Sequence, residues 1–309
     1  MGSILPSSHS PPPPPPPPHS PPLPATVLFS QPVSELPERL PSVQEIEDSP
    51  HVLKKLWSER VVRVGQHYVA KYGEITRPIE GENMIFAREH LKSVVPRLFA
   101  IYQRPRRRKR EPAITYLIME YIDGPPLSEV WDTMGEPERI RVVDSLHGTL
   151  QIIRNIPPPD YFGGLGMAKF NDDIFSDEDD PPEAGYGPFK TESELINALV
   201  SRYRSKAGDR LRHAADYYQR VLPHVLQGSG KPVFTHGDLQ PKNIMIGTRG
   251  KVMIIDWEAS GWYPIWWEYA TTMDASNLKD DWHNYVPRCM SEFPNHFAWF
   301  NMLYREMWF

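Results

Sequence analysis

Cysteine is nearly missing from this chain of 309 residues: Cys289 stands alone. One cysteine excludes an intramolecular disulfide framework and any zinc site built on thiolates. Long hydrophobic runs are missing as well, since none approaches the roughly 18 apolar residues that a bilayer span requires. The start, Met1-Gly2-Ser3-Ile4-Leu5-Pro6, has neither the basic nor the apolar stretch of a secretory leader. Pro6 also stands where an N-myristoylation signal needs Ser or Thr. Net positive charge is lacking too. The 34 Lys+Arg against 39 Asp+Glu give −5, and beyond residue 50 the count is 33 against 34. Gripping a nucleic-acid backbone takes a strong positive excess, so a near-neutral body argues against that function. The expectation is a cytoplasmic protein with neither nucleic acid nor membrane among its partners.

Proline, by contrast, is abundant and unevenly spread: 16 of 35 lie in the first fifty residues, eight of them consecutive from Pro11 to Pro18. Proline fixes φ and donates no N–H, so this stretch reads as coil or polyproline II, a form that SH3 and WW grooves can bind. Residues 1–44 are therefore expected to be a disordered tail that is dispensable for stability. The remainder is long enough for one large domain or two modest lobes with cores of their own.

The texture turns β-like at residues 61–64 and 67–72, which read as two strands about a tight turn at Gly65-Gln66. A helix is expected over 80–92, ended by Pro96, with Glu82, Ile85, Phe86 and Glu89 on one face. Segments 97–102 and 113–121 read as a hairpin whose tip, 104–110, carries a basic run best read as a solvated loop. Beyond Asp123-Gly124-Pro125-Pro126 the chain becomes helical, and Ile140, Val143, Leu146, Leu150 and Ile153 make one apolar stripe. An acidic loop at 177–180 precedes a capping box, Thr191 with Glu194, that opens another helix. A further helix is expected at 210–226, and short strands at 233–234, 244–246 and 252–255. The fold class is α+β and two-lobed, with a sheet-rich lobe at 45–123 and a larger helical lobe at 124–309.

Chemistry concentrates in Phe234-Thr235-His236-Gly237-Asp238-Leu239-Gln240-Pro241-Lys242-Asn243, followed by Ile254-Ile255-Asp256-Trp257-Glu258. An acid five residues before an amide, with a second acid at the end of an apolar strand, supplies what phosphoryl transfer needs. One carboxylate accepts the proton of the attacking hydroxyl; an amide and another carboxylate hold a divalent cation against the phosphates. Magnesium prefers oxygen ligands, which Asn243 and Asp256 offer.

His-Gly-Asp-Leu-x-Pro-x-Asn with Ile-Asp-Trp-Glu resembles the catalytic and metal-binding loops of the aminoglycoside phosphotransferase family, whose fold choline and ethanolamine kinases share, and protein kinases more distantly. Tyr68-Val69-Ala70-Lys71-Tyr72-Gly73 resembles that family's lysine strand, and Glu80-Gly81-Glu82-Asn83-Met84 the start of the helix whose acid pairs with the lysine. Residues Ile118 to Gly124 resemble the linker between lobes, and Gly261-Trp262-Tyr263-Pro264 with Trp266-Trp267-Glu268-Tyr269 the segment after the metal loop in fungal members. The resemblance spans about 61–269 and implies a protein-kinase-like fold. It implies an ATP- and Mg²⁺-dependent kinase acting on a small-molecule hydroxyl, aminoglycoside-, choline- or sugar-like. Asp238 is then the base, and Asn243 and Asp256 bind metal, with Glu258 behind them. Lys71, oriented by Glu82 in preference to Glu80, contacts the phosphates, while the backbone of Glu120, Tyr121 and Ile122 receives adenine. His236 is expected to brace the loop. Two departures stand out: the Gly65 turn offers no glycine-rich phosphate loop, and Gln240 and Lys242 replace the His and Gly frequent in the catalytic loop. The competing reading is a catalytically inactive kinase-shaped module that binds a nucleotide or a partner; the complete set Lys71, Asp238, Asn243 and Asp256 speaks against it.

Overall fold

The structure is a computed structural model that describes residues 24–105, 113–172, 174–175, 186–276, 278 and 280–308. The proline run at 11–18, most of the basic run (106–110) and the acidic loop at 177–180 lie outside the described residues. Among the described residues, no helix is long and apolar enough to cross a membrane.

Six strands form an antiparallel sheet: β1 (Thr26–Ser30), β2 (Val52–Lys55), β3 (Glu59–Val64), β4 (Tyr68–Gly73), β5 (Leu98–Arg104) and β6 (Ile114–Glu120). Their order is β1-β5-β6-β4-β3-β2. Period-two alternation sorts β4 into two faces. Tyr68, Ala70 and Tyr72 join Phe99, Tyr116 and Ile118 in an outer cluster, while Val69 and Lys71 line a cleft on the inner side.

Residues 24–44 are not a tail. β1 adds an edge strand to β5, and Leu36, Leu40, Val43 and Ile46 close the outer face of the sheet. The following short helix α1 (Val43–Glu47) starts with a capping box in which Ser42 and Glu45 each accept the other's backbone N–H. Arg104 pairs with Glu47 at 2.6 Å, and the Tyr116 hydroxyl donates to the same carboxylate at 2.7 Å. An outer sheet face carrying Tyr68, Tyr72 and Tyr116 needs an apolar cover, and the nearest chain supplies it. The expected boundary at residue 45 fails for that reason. Deleting residues 1–44 is accordingly expected to destabilise the protein by about 3 kcal/mol or more, the scale of uncovering one or two large apolar side chains. Denaturant unfolding of the truncated chain checks this, and an unchanged midpoint would contradict it.

Helix α2 (Pro78–Leu91) crosses the inner side of the sheet. The second lobe comprises α3 (Leu127–Val130), α4 (Glu136–Arg154), α5 (Glu192–Ala207), α6 (Arg212–Val225), α7 (Trp267–Ser276), α8 (Val286–Cys289) and α9 (Pro294–Trp308). Two small ribbons join them: β7 (Val233–Thr235) with β10 (Gly261–Tyr263), and β8 (Ile244–Gly247) with β9 (Lys251–Ile254). The α4 stripe is buried at Val143, Leu146, Leu150 and Ile153, joined by Val142, whereas Ile140 is only half-buried. At the start of α5, Thr191 accepts the Glu194 N–H, but the Glu194 carboxylate accepts from Lys190 and the box is not closed. One core runs from α2, β5 and β6 through α4 into β7, β8, β9 and α7; a second fills the space among α5, α6 and α9. The α+β, two-lobed architecture read from the sequence is the one the chain adopts.

Candidate active site

A cleft of about 550 Å³ lies between the inner face of the sheet and the β8–β9 hairpin. Leu53, Val61 and Val69 roof it, Met245 and Ile255 floor it, and Glu120, Tyr121 and Ile122 form its hinge side. The linker is held at both edges. The Glu120 amide donates to the Arg97 carbonyl and its carboxylate accepts the Arg97 N–H; the Tyr121 amide donates to the His67 carbonyl. The Arg63 guanidinium lies 4.0 Å over the Tyr121 ring.

The turn that reaches the cleft differs from the expected one. The Gly65 turn lies beside Glu38, on the far end of β3, and the connection near the cleft is the three-residue turn 56–58 between β2 and β3. Its Ser58 carbonyl accepts the Glu74 amide and sits against the α-carbon of Gly73, where a Cβ would collide with it. β2 escaped the sequence reading because Val52-Leu53-Lys54-Lys55 is a fully exposed edge strand with no buried alternation to detect.

Lys71, 5% exposed, gathers four carboxylates. Its Nζ lies 2.7 Å from Asp256, 2.9 Å from Glu80, 3.3 Å from Glu258 and 3.6 Å from Glu59. Burial disfavours the ammonium, but Glu80, Asp256, Glu258 and Glu59 together outweigh it and hold its pKa well above the ordinary lysine value. Burial pushes the Glu80 and Glu258 carboxyls up against the pull of Lys71. At Asp256 burial is outweighed by Lys71, and the carboxyl is held below its usual value.

The partner on α2 is Glu80, not Glu82. The buried stripe of α2 is Glu80, Met84, Ala87 and Leu91, spaced four, three and four, whereas Glu82 and Glu89 face solvent. Ile85 and Phe86 are only half-buried and mark the edge of the stripe. Leu91 is the residue whose register would have pointed to Glu80. Glu80→Gln is expected to weaken nucleotide binding at least about tenfold, on the scale of a charge-assisted contact, and Glu82→Gln to leave it within about twofold. Titration of both variants with a fluorescent nucleotide distinguishes the two acids; equal effects would contradict the pairing.

In the catalytic loop Gly237 adopts φ +89°, and a Cβ there would approach the Ala259 carbonyl to 2.8 Å, so the turn between His236 and Asp238 requires glycine. His236 is fully buried. Its Nδ1 accepts the Asp238 amide at 3.2 Å and its Nε2 lies 3.0 Å from the Ile255 carbonyl, which joins the loop to the end of β9. The Asn243 Nδ2 donates to Asp238 Oδ2 at 2.7 Å and to its carbonyl at 2.9 Å, leaving the Asn243 side-chain oxygen for a cation. Gln240 donates to Asp238 Oδ1, and the Lys242 Nζ stands 3.5 Å from Oδ2. The Ile255 amide donates to the Asn243 carbonyl at 2.9 Å, so Asn243 and the residue before Asp256 are directly bonded. Asp256 itself has φ +67°, a strained conformation for a side-chain-bearing residue at the end of a strand. Carboxylate oxygens of Glu80, Asp256 and Glu258 lie within 4.8 Å of one another, with the Lys71 ammonium among them.

Three supporting residues had no role in the sequence reading. Glu59 accepts from Thr76 at 3.2 Å beside Lys71. Asn83 donates to the carbonyls of Trp257 and Ser260, fastening α2 to the loop that carries Asp256. Glu268 accepts the amides of His236 at 2.7 Å and Gly237 at 3.1 Å. The only signal for Glu268 was an acid among bulky aromatics, which says that it is buried but not what it holds.

No curated protein matches the sequence significantly. Among solved structures, the GDP complex of wild-type aminoglycoside 2'-phosphotransferase-IIIa is similar at TM-score 0.50 and 12% identity, covering 83% of this chain and 83% of that one. Aminoglycoside phosphotransferase APH(4)-Ia is similar at TM-score 0.47 and 17% identity over 86% and 85% of the two chains. At 12% identity the likeness to the GDP complex is one of fold, the two-lobed kinase-like fold. The sequence itself matches the family described as the phosphotransferase enzyme family over residues 51–289, which takes in every site residue above, and the chain belongs to that family.

Proposed function

We propose that the chain is an ATP-dependent phosphotransferase that moves the γ-phosphate onto a hydroxyl of a small molecule. The observation that carries this reading is that Lys71, Glu80, Asn243 and Asp256 line one cleft, with Asp238 bonded to Asn243 beside it. Adenine fits between Val61 and Val69 above and Met245 and Ile255 below. The Glu120 and Tyr121 amides already have acceptors, which leaves the Ile122 amide as the linker donor for a base edge. Lys71, oriented by Glu80, contacts the phosphates. Asn243 and Asp256 would hold Mg²⁺, which when bound screens the phosphate charge. Asp238 accepts the proton of the attacking hydroxyl. Positioning and charge neutralisation account for most of the rate, since little covalent work remains for the protein.

A small acceptor is favoured over a protein. From Asp256 the chain enters β10 at Gly261 and α7 at Trp267, both packed into the helical lobe, so no long segment is available to shape a peptide platform. Aminoglycoside-, choline- and sugar-like alcohols are the acceptor classes to offer. The test is γ-labelled ATP with Mg²⁺ and a panel of these alcohols beside generic protein substrates. Labelled small-molecule product is expected. Transfer to protein alone would overturn the acceptor class, and failure to bind MgATP would overturn the reading itself.

A further inference from the structure

We propose that Lys242 is a further catalytic residue, which grips the phosphoryl group during its transfer. This rests on the phosphotransferase reading and adds to it a cation that the loop of this chain carries between Asp238 and Asn243.

Among the described residues, ion pairs at the catalytic end of the cleft join five carboxylates, Glu59, Glu80, Asp238, Asp256 and Glu258, to the ammonium groups of Lys54, Lys71 and Lys242. A group that carries negative charge past Asp238 needs a positive partner there, and the three lysines differ in their freedom to supply one. Lys71 is buried and engaged by four acids, so it serves the nucleotide from a fixed position. Lys54 lies across the cleft on β2, with its Nζ 3.9 Å from Glu59. Lys242 sits in the tight turn between the proton acceptor and the metal-binding amide, closed by the Asn243 amide on the Gln240 carbonyl at 2.8 Å. It lines the cleft, its side chain is 55% exposed, and its ion pair, Asp238 Oδ2, is 3.5 Å away. A long, half-solvated ion pair contributes little, so the ammonium can leave Asp238 for a phosphoryl oxygen at small cost.

In the step itself the acceptor oxygen bonds to the γ-phosphorus and its proton passes to Asp238. The bond from that phosphorus to the bridging oxygen breaks, and ADP leaves with the electron pair. Lys242 offsets charge on the equatorial oxygens and gives up no proton. Its contribution belongs to the transition state, not to the bound nucleotide.

The test uses the full chain and needs no acceptor. Affinity is measured for MgADP alone and for MgADP with aluminium fluoride, a planar mimic of the phosphoryl group in flight. Lys242→Met is expected to keep MgADP affinity within about threefold, which also reports a folded site, and to lose at least about tenfold of the tightening that fluoride confers; Lys242→Arg is expected to restore most of it. Undiminished tightening in Lys242→Met would overturn the proposal and leave the phosphotransferase reading intact. So would a wild-type protein that binds MgADP and gains nothing from fluoride. A wild-type protein that binds no MgADP would overturn both.

Discussion

Asp238→Asn is expected to slow phosphoryl transfer by about 10²–10⁴, the usual worth of a positioned general base, while nucleotide affinity stays nearly unchanged. The substitution keeps the volume and one oxygen but removes the capacity to take the hydroxyl proton. Its local cost is small and can be located. Asp238 now accepts from Gln240 on one oxygen and from Asn243 on the other. An amide can satisfy only one of these donors, and keeping its oxygen toward Asn243 preserves the side chain proposed to hold Mg²⁺ at the expense of the more exposed Gln240. Single-turnover transfer from γ-labelled ATP, with MgADP titration in parallel, reads the two effects separately. Turnover equal to that of the wild-type chain would remove Asp238 from its role.

The largest effect on stability is expected from Glu268→Ala. The Glu268 side chain is fully buried and accepts the adjacent amides of His236 and Gly237. Alanine would leave both N–H groups buried without acceptors, at about 1–3 kcal/mol each, so the loss is expected to be on the order of 2–6 kcal/mol. No simple rearrangement repairs it. The loop cannot rotate the amides outward, because His236 is also tied through its ring to Ile255 and through its carbonyl to the Ser260 hydroxyl. Glu268→Gln keeps one acceptor and is expected to lose roughly half as much. Chemical denaturation of the three proteins measures the series, and a Glu268→Ala midpoint equal to wild type would refute the clasp.

The parts of the site that were legible in the sequence are those in which chemistry and secondary structure are set by near neighbours. Asp238 and Asn243 share a turn and Asp256 ends a strand that pairs with the one after Asn243, so short-range spacing sufficed to group them. Lys71 was legible only through the resemblance of Tyr68-Val69-Ala70-Lys71-Tyr72-Gly73 to the family's lysine strand, since a lone lysine on a strand reads as a solvated edge residue. What was not legible depends on contacts across long separations. Glu80 and Glu82 differ only in helical phase, and the phase is decided by packing of Met84, Ala87 and Leu91 against β5 and β6 and the lower lobe. Glu59 opens a strand, but only the arrival of Lys71 and Thr76 gives its carboxylate a purpose. Residues 24–44 read as a tail because proline and serine dominate what precedes them, while the need they answer, an aromatic outer sheet face, is written in β4 and β6.

The way α2 is fastened bears on how the protein can be controlled. Where the helix carrying the lysine's partner is free to swing, activity can be turned on and off by moving it. Here Asn83 ties α2 to the backbone of the loop bearing Asp256, and Met84, Ala87 and Leu91 belong to a core that both lobes share. An outward swing would uncover the Met84 and Leu91 side chains, each worth about 1.5–3 kcal/mol, as well as two bonds of a buried amide. That penalty is a sizeable fraction of the whole stability of an ordinary domain. The lysine–glutamate pair is thus set once, when the chain folds, and moving α2 is closed off as a way of breaking it.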